Sequence, residues 1–150
     1  MASSKSSRVY DKIRNLWVAA LPEELVRQKV LHDLLRLGYP KGCIAIEKEI
    51  RELPHITSDT PLPNRRVDIL CYAANIHPDL LLCPLLLIEC KETLIRDQAL
   101  EQVFGYNEYV KAPFCAIVSR DEIRMSYKVN KETKFIFFLP SYQELVNAVR

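Results

Sequence analysis

The sequence contains Leu85-Leu86-Leu87-Ile88-Glu89-Cys90-Lys91, in which four apolar residues are followed by an acid, a cysteine and a lysine. Its apolar run is typical of a central β-strand that is buried on both faces. Successive side chains of a strand point to opposite faces, so Glu89 and Lys91 share one face and Cys90 lies on the other. An acid and a base therefore emerge together at the end of a hydrophobic strand.

A second acid, Asp68, lies in the preceding predicted strand, residues 67–72. If the two strands are neighbours, Asp68 can lie beside Glu89. Isolated carboxylates are costly to bury unless they are paired or bound to a metal. Two acids and Lys91 at adjacent strand ends form a site suited to a hard divalent cation.

The competing interpretation is structural. In that case Glu89 forms an ion pair with Lys91, and Asp68 pairs with Arg65 or Arg66. The D…ExK pattern is weak by itself, because structural ion pairs also produce it.

A third acid comes from the helix predicted over residues 22–37, which Pro22 opens. At 100° per residue, Glu23 falls in the middle of the apolar arc of this helix, with Arg27 close beside it. A carboxylate that points at the sheet needs a partner. That partner is either Arg27, one turn on, or a metal shared with Asp68 and Glu89.

A further helix is predicted over residues 95–111, and it places Gln102 and Tyr106 one turn apart on the same face. Their amide and phenol groups could orient a phosphate or a water molecule. The alternative is surface polarity together with a packed tyrosine.

The remaining pattern predicts one mixed sheet flanked by helices. Residues 1–21 are expected to form a tail and a leading helix over 8–20, and residues 22–150 a single domain. Ser141 followed by Glu144 is a capping box that starts a last helix. Strands are predicted over residues 43–50, 67–72, 85–90, 114–119 and 134–139, with a connecting loop over 51–64.

Composition narrows the function classes. The chain has 150 residues, with 21 Lys and Arg against 19 Asp and Glu, so its net charge of +2 gives no sign of a binder that relies on bulk positive charge. The five cysteines form no C-x-x-C pair and the three histidines lie far apart, which favours reduced thiols and disfavours zinc. No signal peptide or membrane span is expected, so a cytoplasmic protein is predicted.

Several of these motifs occur together in one order: PEELVRQ, LGYP, VDI, ECK and Q-x-x-x-Y. Over roughly residues 8–119 the sequence resembles the N-terminal nuclease domain of type I restriction enzyme R (HsdR) subunits. It is most similar to small free-standing relatives of that domain within the PD-(D/E)xK nuclease superfamily.

The resemblance implies a restriction-endonuclease-like, three-layer α/β/α core with a four-stranded mixed β-sheet. Asp68 and Glu89 would be metal ligands and Lys91 the catalytic lysine. Glu23 and the backbone carbonyl of Cys90 would complete the metal site, and Gln102 and Tyr106 would position the DNA backbone.

The implied activity is Mg²⁺-dependent hydrolysis of DNA phosphodiester bonds in bacterial restriction, repair or DNA processing, with Mn²⁺ as a substitute cation. Sequence specificity would come from elsewhere, through a homodimer or a partner subunit. A non-catalytic DNA-binding or assembly module that keeps the nuclease fold stays open as the alternative. The resemblance does not distinguish endonuclease from exonuclease action.

Overall fold

A computed structural model describes residues 7–57 and 61–150 of the chain. The predicted loop over 51–64 lies partly outside these residues; its described part begins with a short 3-10 helix, Ile50–Glu52. The elements, in chain order, are β1 (Arg8–Asp11), β2 (Leu16–Ala19), α1 (Pro22–Arg36), β3 (Ile44–Glu49), β4 (Arg66–His77), β5 (Leu80–Cys90), α2 (Asp97–Val110), β6 (Phe114–Val118), β7 (Ile123–Val129), β8 (Glu132–Ile136) and α3 (Tyr142–Val149).

The main sheet has six strands in the order β3-β4-β5-β6-β7-β8. Only β5 and β6 run parallel, and every other neighbouring pair is antiparallel. The expected mixed sheet is confirmed, but the expected count of four strands is wrong. The count differs because β7 and β8 form a hairpin whose turn residues, Asn130 and Lys131, both have positive φ angles, 52° and 69°.

Helices cover both faces of this sheet. One hydrophobic cluster joins α1 and α3 to one face, through residues such as Leu34, Leu145 and Ile88. A second cluster joins α2 to the opposite face, through residues such as Val103 and Leu87. The middle residues of the central strands β4 and β5 are fully buried, because helices pack against both faces of the sheet.

The predicted helices over residues 22–37 and 95–111 and the predicted last helix are present as α1, α2 and α3. Pro22 occupies the first turn of α1, and Glu23 and Glu24 supply acidic groups there, as the helix dipole favours. The Ser141 side chain accepts a hydrogen bond from the Glu144 backbone N–H at 3.2 Å and so caps α3.

The predicted leading helix over 8–20 is wrong, because these residues form the β1–β2 hairpin. Buried Asp11 starts the turn by accepting the backbone N–H groups of Ile13 and Arg14 at 2.9 and 2.8 Å. Asn15 ends the turn with a φ of 56°, a conformation that asparagine tolerates. Local side-chain hydrogen bonding therefore replaces the helical ladder here.

The five cysteines are free thiols, and four of them are buried. Within residues 7–57 and 61–150, no helix has the length and apolar character needed to cross a bilayer.

Candidate active site at the β4–β5 strand ends

Asp68 and Glu89 lie at neighbouring positions of β4 and β5. Ile69 pairs with Ile88 in the antiparallel register, and the two acids are the next residues outward from that pair. The two carboxylates have partners on different helices: Glu89 contacts Tyr106 of α2, whereas Asp68 contacts Arg27 of α1. They are nevertheless close enough for the charge of Asp68 to raise the pKa of Glu89.

The Glu89 carboxylate is almost fully enclosed by donors. Its Oε2 accepts a hydrogen bond from the Tyr106 hydroxyl at 2.6 Å. Its Oε1 lies 3.7 Å from Lys91 Nζ and 3.5 Å from Arg65 Nη2. Burial, and next the negative charge of Asp68, raise the pKa of Glu89, although the Tyr106 hydrogen bond opposes the change.

The Asp68 carboxylate is held from two sides. Its Oδ2 accepts the Cys90 backbone N–H at 2.8 Å, across the β4–β5 edge. Its Oδ1 lies 3.0 Å from Nη2 of Arg27, which reaches it from α1. Arg27 is only 4% exposed. Burial works against the charge on Arg27, but the nearby Asp68, Glu24 and Glu47 carboxylates outweigh that effect and raise its pKa.

Arg27 connects the site to the N-terminal hairpin through shared carboxylates. It contacts Glu24 and lies 3.3 Å from Glu47. Arg14 in the β1–β2 turn contacts the same two acids at 2.7 and 3.0 Å, and Asp11 at 2.7 Å. Burial alone would raise the pKa of Asp11, but hydrogen bonds led by the Arg14 backbone N–H lower it. The hairpin is thus anchored beside Asp68 by alternating charges.

Four of the predicted site residues come together. Asp68, Glu89, Lys91 and Tyr106 form one contiguous group at the strand ends. The predicted ion pair between Glu89 and Lys91 is present, whereas Asp68 pairs with Arg27 and not with Arg65 or Arg66.

The other predicted residues lie differently. Glu23 is exposed, and among the described residues it makes no ion pair, because Arg27 contacts the neighbouring Glu24 instead. Gln102 is exposed and forms no hydrogen bond within the described part of the chain, whereas Tyr106 one turn later is buried. The Cys90 side chain is buried on the opposite face from Glu89, and burial raises the pKa of its thiol.

The protein donors suited to a cation are therefore few. Across residues 7–57 and 61–150, no three or more His, Cys, Asp or Glu side chains come together in a group able to hold a metal ion. Asp68 and Glu89 lie at adjacent strand ends, and their charges interact. A cation bound here would depend on this pair, with water and backbone oxygen completing its shell.

Two contacts of the site were not predicted from sequence. Arg27 is the partner of Asp68, and Arg65 is a partner of Glu89. The three-residue spacing of Glu24 and Arg27 was a usable signal for their ion pair. The contact from Arg27 to Asp68 spans 41 residues and depends on how α1 packs. Arg65 could have been noticed because it directly precedes β4, but its stacking on Tyr106 could not.

Comparison with known proteins places these residues in a family. Residues 22–141 match the family model described as type I restriction enzyme R protein N terminus (HSDR_N). A comparison with curated proteins returned no match.

A solved structure has a similar fold. It is a fragment assigned as an HsdR subunit of a type I restriction enzyme from Vibrio vulnificus YJ016, with a TM-score of 0.54 and 17% sequence identity. The match covers 80% of this chain and 23% of that one, so this chain spans about a quarter of its length. At this identity the likeness shows a shared fold, and the family model carries the membership. The chain belongs to the family of type I restriction enzyme R protein N-terminal domains.

Proposed function

We propose that this domain is a divalent-cation-dependent deoxyribonuclease that hydrolyses phosphodiester bonds. The observation that carries the proposal is that Asp68 and Glu89 lie at adjacent strand ends with interacting charges, and that Lys91 contacts Glu89. This is the order and spacing of the acids and lysine in PD-(D/E)xK nucleases, which the family membership supports.

Mg²⁺ fits the donors that are available. Magnesium is commonly held by one or two carboxylates and keeps several of its waters, so the Asp68–Glu89 pair is sufficient. The mutual repulsion that contributes to the raised pKa of Glu89 would be relieved by a cation shared between the two acids. The carbonyl of Cys90 is the proposed backbone donor, and Mn²⁺ the proposed substitute ion. A bound cation polarises the phosphate and lowers the pKa of its bound water.

The protein groups around the acids have separate proposed roles. Lys91, whose side chain is 32% exposed, would hydrogen-bond the attacking water and stabilise negative charge on the phosphate. Tyr106 would orient Glu89, because its hydroxyl is already committed to that carboxylate. Gln102, exposed on the same helix, would contact the DNA backbone, and Glu23 would act at the rim.

One observation favours the alternative, a non-catalytic DNA-binding or assembly module. Both oxygens of Asp68 and both oxygens of Glu89 are already engaged by protein donors. In that alternative Arg27, Lys91 and Arg65 are permanent counter-ions, and no cation replaces them.

The biological setting is also proposed. We propose a bacterial cytoplasmic role in restriction, repair or DNA processing, which the family membership supports. Because the proposed reaction requires no contact with base edges, sequence specificity would be supplied by a partner subunit or a second copy of the chain.

To test the proposal, the purified protein is incubated with supercoiled, linear and single-stranded DNA in the presence of Mg²⁺ or Mn²⁺. Parallel reactions contain a chelator in place of the cation. We expect cation-dependent cleavage that falls by about 10²–10³-fold in Lys91→Ala, the loss seen when one charge-stabilising donor is removed. Lys48→Ala is the matched control, because Lys48 is an exposed lysine on β3. Wild type that is as inert as Lys91→Ala on every substrate would refute the nuclease proposal and leave the assembly module.

A further inference from the structure

Beside the proposed metal pair lies an arginine with unused hydrogen-bonding capacity. We propose that Arg65 binds a phosphate group of the nucleic-acid strand next to the cation site. This inference rests on the proposed function and adds a residue that neither the D…ExK nor the Q-x-x-x-Y pattern contains.

The contacts of Arg65 leave most of its donors free. Its Nη2 lies 3.5 Å from Glu89 Oε1, which is the outer limit of a hydrogen bond. Its Nε is buried and has no partner among residues 7–57 and 61–150. Because Nε is enclosed, the terminal Nη1 and Nη2 groups are the donors that an incoming phosphate would contact.

Arg65 is held in place by Tyr106. The guanidinium carbon lies 4.3 Å from the centroid of the Tyr106 ring, in a cation–π contact. The same tyrosine donates its hydroxyl to Glu89. One side chain therefore fixes both the carboxylate and the arginine, and the guanidinium loses less conformational freedom when it binds a phosphate.

Comparison with Arg27 separates a binding role from a structural one. Arg27 is 4% exposed and its terminal nitrogens contact three carboxylates, so it is out of reach of a polymer, although its Nε also has no partner among the described residues. The Arg65 side chain is 37% exposed and has one carboxylate contact, at 3.5 Å. A phosphate drawn to a cation on Glu89 arrives next to Arg65, which is suited to bidentate contact with phosphate oxygens.

The test compares Arg65→Gln with Arg66→Gln. Arg66 is the next residue, carries the same charge and is exposed, so the pair separates position from net charge. A fluorescent DNA duplex is titrated by anisotropy with Ca²⁺ in place of Mg²⁺, at several salt concentrations.

We expect Arg65→Gln to weaken binding about tenfold, as for loss of one charge-assisted contact, and to reduce the salt slope by about one. Arg66→Gln should change the dissociation constant less than threefold and leave the slope unchanged. Arg65→Lys should restore the slope but only part of the affinity, because it keeps the charge and loses the planar fork.

Two further measurements distinguish weaker DNA binding through loss of the Arg65 contact from weaker binding through a folding defect. Urea unfolding shows whether Arg65→Gln is folded under the binding conditions. Tyr106→Leu, which removes the ring that holds Arg65, should weaken binding more than Tyr106→Phe, which keeps the ring.

The outcomes distinguish this inference from the nuclease proposal. Binding in Ca²⁺ that depends on Arg65, together with no cleavage in the separate Mg²⁺ and Mn²⁺ assay, supports the inference and refutes hydrolysis. Equal binding by the Arg65→Gln and Arg66→Gln proteins overturns the inference, whether or not DNA is cleaved. Absence of DNA binding by the wild type overturns both.

Discussion

The hydrogen bond from Tyr106 to Glu89 is a contact in the site that a single substitution can remove with little other change. Replacing Tyr106 with Phe removes one oxygen and keeps the ring against Arg65. The bond is 2.6 Å long, and the Glu89 side chain that accepts it is 9% exposed. A hydrogen bond to a charged group contributes about 1.5–3 kcal/mol. We therefore expect Tyr106→Phe to lower the free energy of unfolding at pH 7 by that amount.

The pH dependence gives this prediction a second signature. The Tyr106 hydroxyl favours the ionised form of Glu89, so its removal raises the already elevated pKa of that carboxyl further. The difference in stability between wild type and variant is fully present where Glu89 is ionised in both. It is lost as the pH falls through the two folded-state pKa values.

Urea denaturation at several pH values, followed by circular dichroism, measures both effects. Tyr109→Phe is the control, because Tyr109 is an exposed tyrosine in the same helix, and its stability should stay within about 0.5 kcal/mol of wild type. If Tyr106→Phe behaves like this control at pH 7, or if its loss of stability does not shrink under acid conditions, the assigned role of the hydroxyl is wrong.

Three other perturbations test the surrounding framework by urea unfolding. Arg27→Met should cost about 3 kcal/mol, because it leaves Asp68 without its buried counter-ion, whereas exposed Lys29→Met should cost little; equal losses would contradict this. Burial lowers the pKa of His55, which lies 2.8 Å from a backbone carbonyl oxygen, so its contribution is complete above about pH 6.5 and is lost on acidification. His55→Gln should therefore flatten the fall in stability between pH 8 and 5, and an unchanged slope would count against it. Ser141→Ala should cost about 1 kcal/mol through loss of the α3 cap, and no loss would show that the cap contributes nothing.

The elements that were predictable from sequence are those in which local pattern and tertiary packing agree. Pro22 and the apolar arc mark α1, and the run ending at Glu89 marks β5. The segment 8–20 was not predictable from periodicity, because its apolar residues also fit a helix. The hydrogen bonds of Asp11 decide its conformation. Strand β7 was missed, although β8 overlaps the strand predicted over residues 134–139, because the turn between them is Asn130-Lys131 and lacks the usual glycine.

The candidate site also contains some residues whose positions were predictable from sequence and others whose positions were not. Strand periodicity was enough to predict that Glu89 and Lys91 lie close together. The pairing of neighbouring strands predicted that Asp68 lies near them. The helical wheel placed Glu23 toward the sheet, but at the first turn of α1 that position is exposed. The contacts of Arg27 and Arg65 depend on long-range packing, which no local pattern encodes.

The proposed activity depends on a divalent cation that Asp68 and Glu89 hold together. Anomalous diffraction from crystals of this protein grown with Mn²⁺ locates such a cation. We predict one strong peak between the two carboxylates in the wild type, and its loss in crystals of Asp68→Asn. No peak at that position in well-ordered wild-type crystals, with Arg27 and Lys91 still in contact with the carboxylates, would show that the two acids do not form a cation site.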